Sequence, residues 1–211
     1  MNRLVIFDMD GTLANTSPNI FQSYIHVAHE LMIDEPDVES LYGALGGPLP
    51  DNISKLYGLD EIKTKEAVDI YRSYYSTLPA VQPYDGMLDV IRLLKNIGCT
   101  LAVATLKRED FAKDLLDKWG ISDYFSVIVG SNQDDSISKT MMIEKCLMDT
   151  GFSNNDAIMI GDSISDYESA KNAHVPFIAA SYGFSLPSGY CLNNGIQYVT
   201  DPVGILNLLA L

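Results

Sequence analysis

The stretch Leu4-Val-Ile-Phe-Asp-Met-Asp-Gly-Thr12, "LVIFDMDGT", joins four apolar residues directly to two carboxylates, a glycine and a hydroxyl. An unbroken apolar run of this length reads as a strand buried on both faces, as in a parallel sheet, rather than as an alternating edge strand. Surface acids are usually scattered over solvated faces. Asp8 and Asp10, at the exit of a buried strand, instead call for a cation or for chemistry.

The apolar theme returns along the chain in "CTLAVAT" (99–105), "SVIVGS" (126–131), "AIMIGDS" (157–163) and "PFIAAS" (176–181). Helical patterns lie between these runs. "MLDVIRLLKNIG" places Leu88, Ile91 and Leu94 or Leu93 on one face and stops at Gly98. "REDFAKDLLDKWG" spaces Phe111, Leu115 and Trp119 by four and stops at Gly120; "SKTMMIEKCLMDTG" carries Met142 or Ile143, Cys146 and Leu147 and stops at Gly151. Strand alternating with helix predicts an α/β core with a doubly wound, Rossmann-like parallel sheet and right-handed crossovers.

Residues 15–82 break this rhythm, with helical periodicity and no strand-like run. "NIFQSYIHVAHELM" aligns Ile20, Tyr24, Val27 and Leu31, and "IKTKEAVDIYRSYYSTL" aligns Ala67, Ile70, Tyr74 and Leu78. "LPAVQPYDG" then reads as a return linker. The expected organisation is a core of residues 1–14 and 83–211 with an all-helical domain, 15–82, inserted after the first strand.

A chain of 211 residues, 47% hydrophobic and 20% charged, has the makings of one sizeable core or a core with a small insertion, and not of a disordered segment. No apolar run approaches the ~18 residues of a spanning helix, and "MNRLVIF" is shorter than the apolar region of a signal peptide. Cys99, Cys146 and Cys191, odd in number and widely spaced, fit a reducing cytoplasm rather than a disulfide framework. A formal charge of -14 disfavours nucleic acid or an anionic membrane as partner. It leaves room for a small anionic substrate where a bound cation and a few bases reverse the potential in one cleft.

Open parallel sheets bind ligands at the carboxyl ends of their strands. The polar residues after each apolar run should therefore meet there: Asp8 and Asp10 after the first, Thr105 after the second, Asp162 with Asp166 after the fourth. Lys139, opening the helix after the third run, can reach the same crevice. Carboxylates converging in this number repel one another unless a hard cation is bound, and oxygen ligands suit Mg2+. A cation would bring a phosphate, for which Thr105, Lys139 and the backbone N–H groups of the turn Met9–Gly11 are suitable donors.

"DMDGT", "AT", "SK" and "GDSISD", in this order, resemble the four motifs of the haloacid dehalogenase superfamily of phosphohydrolases, and the helical insertion directly after the first motif is similar to that group's cap domain. The resemblance implies a Mg2+-dependent phosphatase acting on a small phosphorylated metabolite, a monomer or homodimer, of the phosphoglycolate phosphatase type. Pyrophosphatase, 5'-nucleotidase and phosphomutase activities are alternatives within the family; a phosphoryl-accepting regulatory module without turnover is the alternative outside it. Asp8 would be the nucleophile, forming an aspartyl-phosphate. Asp10 would be general acid and then general base. Its backbone carbonyl, with the carboxylates of Asp8 and Asp162, would hold Mg2+. Asp166 would orient metal-bound water or Lys139. Thr105, Lys139 and the amides of Met9 and Leu106 would bind phosphoryl oxygens, with Gly11 permitting the sharp turn and Thr12 steadying it. Gly46 and Gly47, in "LGGPLP" (45–50), would lie over the leaving group.

Plainer readings stand beside these. Asp8 and Asp10 could be turn acids, Asp162 and Asp166 helix N-terminal acids, Thr105 the cap of a helix beginning near Arg108, and "LGGPLP" a helix connection. His26 and His29 read as a helix surface rather than a metal pair, Tyr71, Tyr74 and Tyr75 as packing and surface, and Asp134 with Asp135 as a loop. Lys139 resists a plain reading, because a lysine in a first helical turn opposes the macrodipole unless an anion is near. Leu106 and Asn15 depart from the family's usual small polar residue and aspartate.

Overall fold

The computed structural model describes residues 3–132 and 136–209, so Asp134 and Asp135 lie outside the described residues. The run Leu4–Phe7 forms β1, with every residue buried. It sits in the middle of a six-stranded sheet of order β3-β2-β1-β4-β5-β6, built with β2 (Thr100–Arg108), β3 (Phe125–Ser131), β4 (Ala157–Gly161), β5 (Phe177–Ala180) and β6 (Tyr198–Val199). All pairings are parallel. The doubly wound fold is as expected, with β1 at the switch point where such sheets open a crevice. The sixth strand, two residues bonded to Ala179 and Ala180, is too short to leave a sequence signal.

The chain divides into two compact units, Met1–Asn15 with Gln82–Leu211 and Thr16–Val81. In the first, helices α5 (Met87–Asn96), α6 (Glu109–Lys118), α7 (Lys139–Thr150), α8 (Ile164–Asn172), α9 (Ser188–Asn193) and α10 (Gly204–Leu208) connect or follow the strands. On one face of the sheet, Leu4, Ile6, Ala102 and Ala104 pack against Met142, Ile143, Cys146 and Leu147 of α7, the stripe expected from its spacing. Burying each large side chain there contributes about 1.5–3 kcal/mol. Two other stripes are shifted in part. In α5 the buried residues are Met87, Val90, Ile91 and Leu94, while Leu93 is exposed. In α6 and just after it Leu115 and Trp119 are buried as expected, with Ala112 and Leu116 beside them, and Phe111 instead lies under the Arg108 guanidinium, 4.1 Å from its ring centre.

The second unit is helical throughout its described elements: α1 (Ser17–Glu30), α2 (Val38–Gly43), α3 (Leu49–Tyr57) and α4 (Glu61–Tyr75). Ile20, Tyr24 and Val27 of α1 are buried as expected. The α4 stripe is Thr64, Ala67, Val68, Tyr71 and Tyr75, one residue out of step with the expected Ile70 and Tyr74. Tyr71 sets that rotation by packing 5.0 Å from Tyr24, ring centre to ring centre. His26 stacks on Tyr74 at 4.0 Å and His29 pairs with Glu35 at 2.8 Å, so each ring is engaged with its own neighbour. "LGGPLP" connects α2 to α3; Gly46 and Gly47 have φ of 75° and 79°, and the Asn52 amide donates to the carbonyls of Ala44 (3.0 Å) and Gly46 (2.7 Å). No helix among the described residues is long and apolar enough to cross a membrane.

Candidate active site

Register brings the motif residues level. Phe7 of β1 is paired with Val103 of β2 and Ile160 of β4, so the next residues along are Asp8, Ala104 and Gly161, followed by Thr105 and Asp162. The Asp8 N–H donates to the Ile160 carbonyl at 2.9 Å, which carries the sheet one step further. The chain then folds back on itself: the N–H groups of Leu13 and Gly11 donate at 2.9 Å to the carbonyls of Met9 and Ala14. Gly11 has a φ of 84°, and a Cβ there would stand 2.3 Å from Oδ2 of Asp162. Only glycine satisfies both the backbone and the close approach.

Asp162, buried at the end of β4, is held from two sides. The Thr12 hydroxyl donates to its Oδ1 at 3.2 Å, and the Phe184 N–H donates to Oδ2 at 2.7 Å. The Tyr182 hydroxyl donates to the Thr12 carbonyl at 3.0 Å, tying the loop after β5 to the turn after β1. Between them Gly183 leaves no room: a Cβ would lie 2.3 Å from both Asp162 Cβ and the Gly11 carbonyl oxygen. The sequence reading missed Tyr182, Gly183 and Phe184; the glycine just past "PFIAAS" was the available signal. We expect Gly183→Ala to cost about 1–3 kcal/mol through overpacking, measured by thermal unfolding.

Ser138 caps α7, its hydroxyl accepting from the Met141 N–H, which puts Lys139 at the first helical position. Lys139 is buried, and its ammonium donates to Oδ1 of Asp8 and, at 2.8 Å, to Oδ1 of Asp166. Here is the anion that a lysine in a first turn requires. The other Asp166 oxygen accepts from the Ser163 N–H (3.1 Å) and hydroxyl (2.7 Å), forming a capping box for α8. The helix-terminal reading of Asp166 thus accounts for one oxygen and the lysine for the other.

Carboxylate oxygens of Asp8, Asp162 and Asp166 lie within 4.8 Å of one another, all three residues buried. Among the described residues Lys139 is the ammonium that pairs with them, so full ionisation of all three would leave an excess of two negative charges in a buried place. Burial, with Asp166 adding to it and Lys139 opposing, pushes the Asp8 carboxyl up to about 7. Asp162 is pushed well above the usual carboxylate range by burial and by Asp166 and Asp8. Burial acts to lower the Lys139 ammonium, but Asp166 and Asp8 together hold it above its ordinary value. A hard divalent cation fits this donor set in charge and in its oxygen chemistry. Metal-free protein should therefore lose stability as pH rises from ~4 to ~7, because the folded state holds protons that the unfolded chain has released. A divalent cation held by the cluster would oppose that loss, so paired melts with and without added Mg2+ at stepped pH should diverge over the same window.

Thr105 is buried, and its Oγ1 accepts from the Lys107 N–H at 3.2 Å. It does not cap α6, which follows Arg108 without a side-chain cap. Leu106 packs its side chain against the core, which explains an apolar residue at that position. Lys107 was not foreseen. Its ammonium donates to both oxygens of Asp10, at 3.0 and 3.3 Å, from a side chain only 5% exposed. The register between β2 and β3 shifts between Ala104 and Arg108, an irregularity that re-aims side chains at a sheet rim and has no sequence signature. Lys139 joins Asp8 to Asp166, Thr12 joins Asp162, and the three carboxylates come within 4.8 Å of one another; Gly11 abuts Asp162, and Asp10 joins Lys107, two residues beyond Thr105. Met9 is buried beneath the turn, and Gly46 and Gly47 belong to the helical unit.

A doubly wound sheet with an acidic cluster and a lysine at its switch point defines a class of hydrolase that the sequence comparisons identify. Residues 5–180 match the model of the haloacid dehalogenase-like hydrolase family, and the chain belongs to that family. Among its relatives, a 5'-nucleotidase of Pseudomonas aeruginosa is 30% identical over 208 residues, covering 97% of this chain and 94% of its own. A phosphoglycolate phosphatase of Agrobacterium fabrum is 31% identical over 197 residues, 88% of this chain and 83% of its own. Among solved structures, a predicted phosphatase from Clostridium acetobutylicum superposes with a TM-score of 0.89 at 32% identity, over 99% of each chain.

Proposed function

We propose that the chain is a Mg2+-dependent phosphatase that hydrolyses the phosphomonoester of a small metabolite through an aspartyl-phosphate on Asp8. Membership of a hydrolase family whose relatives carry phosphatase names supports phosphatase activity. The observation that carries the rest is the position of Asp8, buried, held by Lys139, and within reach of Asp162 and Asp166.

Asp8 attacks phosphorus, and the bond to the leaving oxygen breaks as Asp10 gives that oxygen a proton. A water molecule then attacks the aspartyl-phosphate while Asp10 takes its proton, releasing phosphate and restoring Asp8. Thr105, Lys139 and the amides of Met9 and Leu106 bind the phosphoryl oxygens in this reading. The carboxylates of Asp8 and Asp162 and the Asp10 carbonyl would hold Mg2+, with Asp166 orienting Lys139. Bound Mg2+ supplies positive charge to the phosphoryl oxygens, which is most of what phosphoryl transfer needs.

In this reading the helical unit, 15–82, acts as a cap that selects small substrates. Phosphoglycolate is the first substrate class, with pyrophosphate and nucleoside monophosphates next. Free, buried cysteines support action in a reducing cytoplasm, as a monomer or homodimer.

The test is a panel of phosphorylated metabolites with Mg2+, run on wild type and Asp10→Asn. Asp10→Asn is expected to slow turnover by ~10²–10⁴-fold, the range of general acid–base catalysis, with Mg2+ binding largely retained. Isomerisation of a sugar phosphate in place of phosphate release would move the chain to the phosphomutases. Stable phosphorylation without turnover would move it to the regulatory class.

A further inference from the structure

Resting on the proton-carrying role proposed for Asp10, we infer that Lys107 is a positioning residue for that carboxyl group, fixing the direction in which it meets the leaving oxygen. Long basic side chains ordinarily bury their stems and keep the charged head in water. Lys107 departs from this: its side chain is 5% exposed and its head lies on both oxygens of Asp10.

The backbone at Asp10 is already set, by the bridge between Asp10 and Ala14 and the N–H of Gly11 on the Ala14 carbonyl. The side chain is not set by that alone, because the terminal torsion of an aspartate is broad and two-fold. One ammonium contacting both oxygens supplies the missing constraint, and it comes from β2, whose pairing with β1 is fixed from Leu4 to Phe7. The two acids of "DMDGT" are thereby divided between two lysines, Lys139 on Asp8 and Lys107 on Asp10.

In the first half-reaction the Asp8–phosphorus bond forms, the bond to the leaving oxygen breaks, and the proton passes from Asp10 to that oxygen, leaving a carboxylate that Lys107 faces. In the second, Asp10 takes a proton from water as the water oxygen bonds to phosphorus and the Asp8–phosphorus bond breaks. Lys107 keeps its own protons throughout. A misplaced acid costs rate in proportion to how much the leaving group needs a proton, and displacements near 1 Å cost about 10²-fold.

The test compares p-nitrophenyl phosphate, whose leaving group departs readily as an anion, with a primary alkyl phosphate, whose leaving group does not. Kinetics are measured for wild type, Lys107→Met, Lys107→Gln, Lys107→Arg, Asp10→Asn and the Lys107→Met/Asp10→Asn double variant, each checked for folding by its melt. Lys107→Met is expected to lower kcat on the alkyl ester by about 10–100-fold, with less than about 3-fold loss on the nitrophenyl ester and little change in KM. Lys107→Gln should show the same pattern if the Met variant does not fold. Lys107→Arg should recover most of the alkyl-ester rate, and the double variant should be no slower than Asp10→Asn alone. Equal losses on both esters, a change confined to KM, or additive losses in the double variant would overturn the inference. If Asp10→Asn itself shows no leaving-group preference, the proton-carrying reading falls, and this inference with it. A preference in Asp10→Asn that is missing in both Lys107→Met and Lys107→Gln overturns the role of Lys107 alone.

Discussion

Asp8→Asn is expected to abolish turnover, with a loss on the order of 10⁴-fold or more, the scale seen when a catalytic nucleophile is removed. The amide has the size of the carboxylate and can still accept from Lys139 through its oxygen, so the contact at the head of β1 survives. What disappears is the anion proposed to attack phosphorus. The same change removes one of three carboxylates from a buried cluster compensated by the Lys139 ammonium. The metal-free variant should therefore melt no lower than metal-free wild type, and Mg2+ should stabilise it less. Loss of activity together with retained stability separates the nucleophile from a structural acid, and calorimetry beside a phosphate-release assay measures both.

Lys139→Met should act in the opposite way on stability. It leaves Asp8 and Asp166 facing each other without the cation between them. Breaking a buried ion pair by removing one partner costs about 3–5 kcal/mol, which for a chain of this size is a fall in Tm of roughly 6–20 °C. Part of that loss should return as pH falls, because without Lys139 the Asp8 carboxyl takes up a proton more readily than in wild type, and added Mg2+ should return part of it if the cluster binds the cation. Activity should fall ~10²–10³-fold, the usual loss on removing a donor that stabilises charge in the transition state. Paired melts with Mg2+ and with chelator, beside single-substrate kinetics, read both effects. A variant as stable as wild type in chelator would mean that the cluster does not carry the charge assigned to it.

Much of the core was legible because its signals are local. Four apolar residues ending in Asp8 specify a buried strand and place an acid at its exit. A lysine in the first turn of α7 conflicts with the helix dipole, and that conflict pointed to a nearby anion, found in Asp8 and Asp166. The missed residues depend on approach in three dimensions. Gly183 matters because Asp162 and the Gly11 carbonyl crowd the space where its Cβ would be. Lys107 reaches Asp10 from an irregular end of β2 that no alternation pattern encodes. Periodicity pointed to the stripe through Ile70 and Tyr74 in α4, but one through Tyr71 and Tyr75 recurs at the same spacing and is the one buried. The ring of Tyr24, from another helix, decides between them.

Reductive trapping tests the aspartyl-phosphate proposed on Asp8 most directly. Borohydride converts an aspartyl-phosphate to homoserine, so wild-type protein quenched during turnover of a phosphomonoester with Mg2+ and mapped by peptide mass spectrometry reports which aspartate was phosphorylated. Homoserine is expected at position 8, dependent on both substrate and Mg2+ and absent from Asp8→Asn. Steady phosphate release with no homoserine at position 8, or with homoserine at another aspartate, would contradict it.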